Sequence, residues 1–118
     1  MAMAQSNGDP ANKNAAPELP TYEGAQKRVN RCYRKMAKDN KALVAPVGEV
    51  WKTVREEKPG INLYSDKTHP NKTGTYLAAC VFYTALVNKT ATGSHIPKGV
   101  NRESAEYIHA VVDRIVLK

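Results

Sequence analysis

At 118 residues with a formal net charge of +7, the chain has the length of one domain, and about a hundred residues remain for a single modest core once a loose front is set aside. It holds no run of about 18 apolar residues and opens on no basic-then-apolar leader, so a soluble protein with no membrane partner is expected, any export signal lying outside these residues. Two cysteines, Cys32 and Cys80, cannot form a disulfide framework, and both fall on apolar stripes of predicted helices, where cysteine behaves as a small hydrophobe.

Residues 1–20 contain Asn7-Gly8-Asp9-Pro10, Pro17 and Pro20 with almost nothing large and apolar, the composition of a flexible segment. From Thr21, a residue suited to capping, the apolar positions Ala25, Val29, Cys32, Tyr33, Met36 and Ala37 recur at helical spacing and predict an amphipathic helix ending near Asn40. Lys27, Arg31, Arg34 and Lys38 line its other face. Such a row suits phosphate, but no aromatic is interleaved with it as a base-stacking platform requires, so a solvated face is the plainer reading and nucleic acid is not expected as a partner.

Ala42-Leu43-Val44-Ala45, bounded by Asn40 and Pro46, reads as a short buried strand. Residues 49–58 predict a second helix with Val50, Trp51 and Val54 inward, stopped by Pro59-Gly60. Residues 61–64 form an extended connector. After Asp66 and His69 comes a helix that begins at Pro70 or is capped by Asn71, and from Tyr76 to Val87 it is apolar almost all round, as expected of a core helix covered on most sides. A loop with Gly93, Pro97 and Gly99 leads to a last helix carrying Ile108, Val111, Val112, Ile115 and Val116 on one stripe. Helices alternating with one or two short strands suggest an α/β layer fold.

The chemistry concentrates at Asp66-Lys67-Thr68-His69. Three residues apart on a turn, a carboxylate can reach one imidazole nitrogen while the other faces outward; the carboxylate then fixes the tautomer and stabilises the imidazolium, as a general base requires. The plainer alternative is a surface histidine beside a turn aspartate. Neither Ser65 nor Ser94 sits on the strained strand-to-helix turn that exposes a nucleophile. His69, His95 and His109 show no metal-ligand spacing, and no metal or other cofactor is expected. Asn71-Lys72-Thr73 and Asn88-Lys89-Thr90 match the glycosylation acceptor pattern, which arises readily by chance.

The block from Asp66 to Ala79, Asp-x-x-His-Pro followed by Gly74 and a small-residue-rich helix, resembles the last conserved block of the SGNH, or GDSL-type, serine hydrolases. Tyr22-Glu23-Gly24, Ala45-Pro46-Val47-Gly48 with Trp51, and Leu63-Tyr64 are similar to the preceding segments in a bacterial branch of that family, so that the resemblance spans roughly residues 7–97. It implies that Asp66 orients His69 and that His69 is the general base of an esterase or deacetylase. It also implies an α/β fold, the C-terminal half of a flavodoxin-like domain over residues 21–118, and a small acyl ester or acetylated carbohydrate as substrate of the completed site. The family's Gly-Asp-Ser nucleophile block and its oxyanion-hole glycine and asparagine have no counterpart in the 118 residues. The chain is therefore expected to be inactive alone and to need its missing N-terminal half or a homo-oligomer; relatives are often exported. Two other readings stand beside this one, a non-catalytic self-associating module and a basic nucleic-acid-binding module.

Overall fold

The computed structural model describes residues 21–66 and 68–118; the segment expected to be flexible, residues 1–20, lies outside them. Four helices follow in order, α1 (Tyr22–Asn40), α2 (Val47–Glu57), α3 (Lys72–Val87) and α4 (Arg102–Val116).

Each helix starts where a small polar side chain or a proline ends the preceding chain. Thr21 caps α1 by accepting from the Gly24 amide at 3.0 Å, and Asn71 and Asn101 cap α3 and α4 by accepting from Gly74 and Ser104. Pro46 precedes α2, which starts two residues ahead of the expected Glu49. The first helix stops at Lys41, whose left-handed backbone (φ 52°) lets the Ala42 amide reach back to the Ala37 carbonyl at 2.8 Å.

Helices α2, α3 and α4 pack against one another, whereas α1 touches α2 alone. The core is the apolar stripe of α2 (Val50, Trp51, Val54) meeting Leu77 and Val81 of α3 and Ile108, Val111 and Val112 of α4, with Leu63 from the connector. On α4 the expected stripe is buried apart from a half-exposed Ile115. Asp113 ties the loop after α3 to α4, accepting from the Ala91 amide at 2.7 Å and the Thr92 hydroxyl at 2.8 Å. Tyr76 joins α3 to α4 and the intervening loop: its hydroxyl donates to the His95 carbonyl at 2.9 Å and so accepts from His109 Nε2–H at 2.7 Å. Burial lowers the His109 pKa and pushes the Tyr76 hydroxyl up to about 12.

Three expectations are corrected. The α/β, flavodoxin-like layering is overturned, because the described residues form four helices and no strand. Residues 42–45 form no regular element: a strand is defined by the ladder it shares with a neighbour, and among the described residues no strand stands beside this segment. The connector contributes a single antiparallel bridge, Tyr64 with Pro70, that closes its own loop. The stripe of α1 is buried only near its start, at Ala25 beside Gln26, while Cys32, Tyr33 and Met36 are exposed because among the described residues no helix but α2 packs against α1. Likewise α3 buries Leu77, Cys80, Val81 and Thr84 yet leaves Phe82, Tyr83, Leu86 and Val87 exposed, so it is covered on one side rather than most.

Two glycines set the closest approaches. A Cβ on Gly48 would lie 2.1 Å from Gln26 Nε2, where α1 lies against α2; a Cβ on Gly74 would lie 2.3 Å from the Leu63 carbonyl oxygen and 2.6 Å from the Trp51 ring. The second obstacle is partly backbone and cannot swing aside. Gly74→Ala should therefore destabilise the domain by about 3 kcal/mol, read as a lowered denaturant midpoint with the slope unchanged; an unshifted midpoint would show that α3 does not approach the connector this closely.

Candidate functional site

The loop between Tyr64 and Pro70 is held at both ends by backbone bonds. The Ser65 amide donates to the His69 carbonyl at 2.9 Å and the Asn71 amide to the Leu63 carbonyl at 3.0 Å. Beneath it lies Trp51, whose indole N–H donates to the Tyr64 hydroxyl at 2.9 Å and whose ring meets the Tyr64 ring edge-on, centroids 5.1 Å apart. Asn71 closes the base. Its side-chain oxygen caps α3 while its amide nitrogen donates to the Asn62 carbonyl at 2.9 Å, so one residue joins the connector, the loop and the helix. That commitment also opposes glycosylation there.

Within this frame the structure brings together the two residues singled out by spacing. Asp66 Oδ2 accepts from His69 Nδ1–H at 2.8 Å, and Oδ1 accepts from the backbone amides of Thr68 and His69, both at 2.7 Å. The Thr68 hydroxyl stands 3.1 Å from the same imidazole nitrogen. With the Thr68 hydroxyl, which also donates to Oδ1 at 3.4 Å, four donors converge on one carboxylate. The Thr68 and His69 amides, followed by the imidazole, hold the Asp66 carboxyl well below the usual carboxylate range. The turn that delivers those amides is built by the aspartate itself, an Asx-type arrangement in which the side chain stands in for a backbone carbonyl.

Both side chains are exposed, His69 at 68% and Asp66 at 56%. An exposed pair of this kind adds little to stability because water screens it, so its main physical effect is orientation: Nδ1 carries the hydrogen, and Nε2 is left as an acceptor with no hydrogen-bond partner among the described residues. Neither serine competes for it. The Ser65 hydroxyl donates to the His69 carbonyl at 3.3 Å, and Ser94 lies in the loop after α3, where its amide bonds to the Ala91 carbonyl. A hollow of about 600 Å³ lies along the first turns of α3, walled by Pro70, Asn71, Thr75, Tyr76, Pro97 and Lys98; neither Asp66 nor His69 lines it.

No group of three or more His, Cys, Asp and Glu side chains suited to a metal occurs among the described residues. His109 is buried against Tyr76 rather than gathered with the other histidines. The row Lys27, Arg31, Arg34 and Lys38 is not a uniform free face, since Arg34 is paired with Glu49. No helix among the described residues is long and apolar enough to cross a membrane.

Sequence reasoning missed the supports of the site. Asn71 was one of two candidate caps, but its second bond to Asn62 depends on a connector folding back, which no spacing reveals. The Trp51–Tyr64 contact had a signal, two aromatic side chains flanking the Pro59-Gly60 turn, although neither their distance nor their angle follows from it.

Comparison with protein-family models, with curated proteins and with solved structures returned no match. The fold and the site together define a small helical domain that presents an oriented histidine–aspartate pair at the entrance to one of its core helices.

Two outcomes follow from this geometry. Asn71→Ala removes a cap and a loop tether, and should cost about 1–2 kcal/mol while speeding hydrogen exchange at the Ser65 amide; unchanged exchange there would mean the loop stands without Asn71. For pH, Asp66 has a folded pKa below its unfolded value, so its contribution is fully present above the ordinary carboxylate range and is lost as pH falls toward the depressed value. The stability difference between the native chain and Asp66→Asn should accordingly be flat from neutral pH down to about pH 5 and shrink below it, as measured by denaturation at a series of pH values; a difference independent of pH into strong acid would refute the assignment.

Proposed function

We propose that this domain supplies the general-base half of an SGNH-type acyl-ester hydrolase site, with Asp66 as the orienting carboxylate and His69 as the base. The observation that carries the reading is the 2.8 Å bond from His69 Nδ1–H to Asp66, which leaves Nε2 outward with no partner among the described residues.

The chemistry runs from that nitrogen. Nε2 accepts the proton of an attacking hydroxyl as its oxygen bonds to the acyl carbon, and the imidazolium so formed is stabilised by the Asp66 carboxylate. The same proton then passes to the leaving alcohol oxygen when the tetrahedral intermediate collapses. In the resembled family the hydroxyl belongs to a serine of a Gly-Asp-Ser block, which this chain does not contain. The nucleophile is therefore a serine from outside these 118 residues or, in the isolated chain, water. Small acyl esters, and acetylated carbohydrates for a completed site, are the substrate class this reading assigns.

A base without its nucleophile and oxyanion donors retains only a small part of the full acceleration. The purified chain should hydrolyse para-nitrophenyl acetate slowly but above buffer, and His69→Ala should return the rate to background. Asp66→Asn, which removes the orienting charge, should lower the rate while leaving the far-ultraviolet circular dichroism unchanged. A rate unaffected by His69→Ala would defeat the proposal for the isolated chain.

A further inference from the structure

The hollow of about 600 Å³ along the first turns of α3 is separate from the dyad and has a chemistry of its own. Lys72, Thr75, Tyr76 and Ala79 form one wall, at the spacing of a single helix face. The facing wall is the turn at residues 97–100, closed by the Val100 amide donating to the Pro97 carbonyl at 3.2 Å. Both walls are tied to the rest of the fold: Val100 is buried, and the Tyr76 hydroxyl donates to the His95 carbonyl, two residues ahead of Pro97. The cleft is thus formed before any ligand arrives, its lining is mainly apolar, and its size is that of a small-molecule site.

The charges lining the hollow are of one sign. Lys72 and Lys98 line it, and among the described residues no aspartate or glutamate does. Neither lysine makes a hydrogen bond or an ion pair among those residues. Nor does Lys72 extend away into water: a Cβ on Gly99 would lie 3.0 Å from Lys72 Cδ and 3.2 Å from its Nζ, so this side chain lies across the loop, against the residue that follows Lys98. Gly99 permits that in two ways. It takes the left-handed backbone the turn needs, with φ 95°, and it has no side chain to push the lysine off. Two ammonium groups brought to one loop with no carboxylate between them repel each other, and an anion held between them reverses the sign of that interaction.

The lining also says what kind of anion fits. Each lysine ammonium is a compact point charge with three donors. Two of them complement a phosphate monoester, which carries close to two negative charges at neutral pH, better than a carboxylate with one. A bare anion would leave the apolar walls unmatched, and an uncharged apolar molecule would leave both cations without a counter-ion. An apolar body bearing one phosphate satisfies both.

We propose that the hollow between α3 and the turn at residues 97–100 is a binding site for a small phosphate monoester of an apolar alcohol, its phosphate held by Lys72 and Lys98 and its body against Tyr76, Ala79 and Val100. The site is independent of the ester-hydrolysis reading.

The test titrates phenyl phosphate into the full 118-residue chain, followed by amide shifts in nuclear magnetic resonance. The shifts should saturate, weaken with added salt and concentrate at Thr75, Ala79, Lys98 and Val100. Lys72→Gln and Lys98→Gln should each weaken binding about fivefold, the scale of one solvent-exposed charge pair. Ala79→Asp, which sets a negative charge in the apolar wall, should abolish it. All three positions are exposed, so folding should be retained, and circular dichroism verifies it for each. Benzyl alcohol, which lacks the charge, and inorganic phosphate, which lacks the apolar body, should each bind about tenfold more weakly than phenyl phosphate. His69→Ala should leave the affinity unchanged. Inorganic phosphate binding as tightly as phenyl phosphate would overturn the proposal, as would an affinity that neither lysine variant alters. So would binding to vesicles carrying phosphatidic acid with none to the soluble ester.

Discussion

The contact among Trp51, Leu63 and Gly74 is the constraint on which the remaining arrangement depends. A hydrogen atom in place of a side chain at position 74 lets the Leu63 carbonyl and the Trp51 ring come where a Cβ would stand. With the connector drawn in so far, the Leu63 carbonyl accepts from Asn71 and the Tyr64 hydroxyl accepts from the Trp51 indole. The short loop from Tyr64 to Pro70 then has both ends anchored to the core. Its residues project from a fixed base, which is why an exposed histidine and aspartate can hold a defined geometry without being buried.

The molecule is asymmetric in how it uses α3. The first half of that helix is capped, packed and adjacent to the dyad, and its Tyr76 reaches across to α4. Toward the C-terminal end Leu86 and Val87 are exposed, because α1 leans only on α2 and does not close over them. The core of α2, α3 and α4 is complete in itself, while the second apolar surface, formed by the end of α1, residues 42–46 and the end of α3, has no cover within the described residues.

Electrostatics divide along similar lines. Asp66 is held ionised by local donors, two of them backbone amides of its own turn, so the pair is built from residues 66–69 alone. Glu57, in contrast, is held ionised across the fold, accepting from the Tyr107 hydroxyl and from Arg114 on α4. The first arrangement depends on a turn and the second on tertiary packing.

That distinction marks what could be read from the chain and what could not. Helix positions, the cap at Thr21, the inward faces of α2 and α4 and the pairing of Asp66 with His69 follow from spacing and local hydrogen bonding within a few residues, interactions that a sequence encodes directly. The expected strand at residues 42–45 shows the limit: an apolar run is compatible with a strand, but only a neighbouring strand makes it one. The same holds for Tyr33, Met36, Phe82 and Leu86, whose helical spacing identified apolar faces without indicating whether anything would cover them. Burial is a property of two surfaces, and the sequence by itself specified one of each pair. The tertiary structure decided the rest through the close approach at Gly74, the double role of Asn71 and the failure of α1 to reach α3, each a matter of distances between segments far apart in the chain.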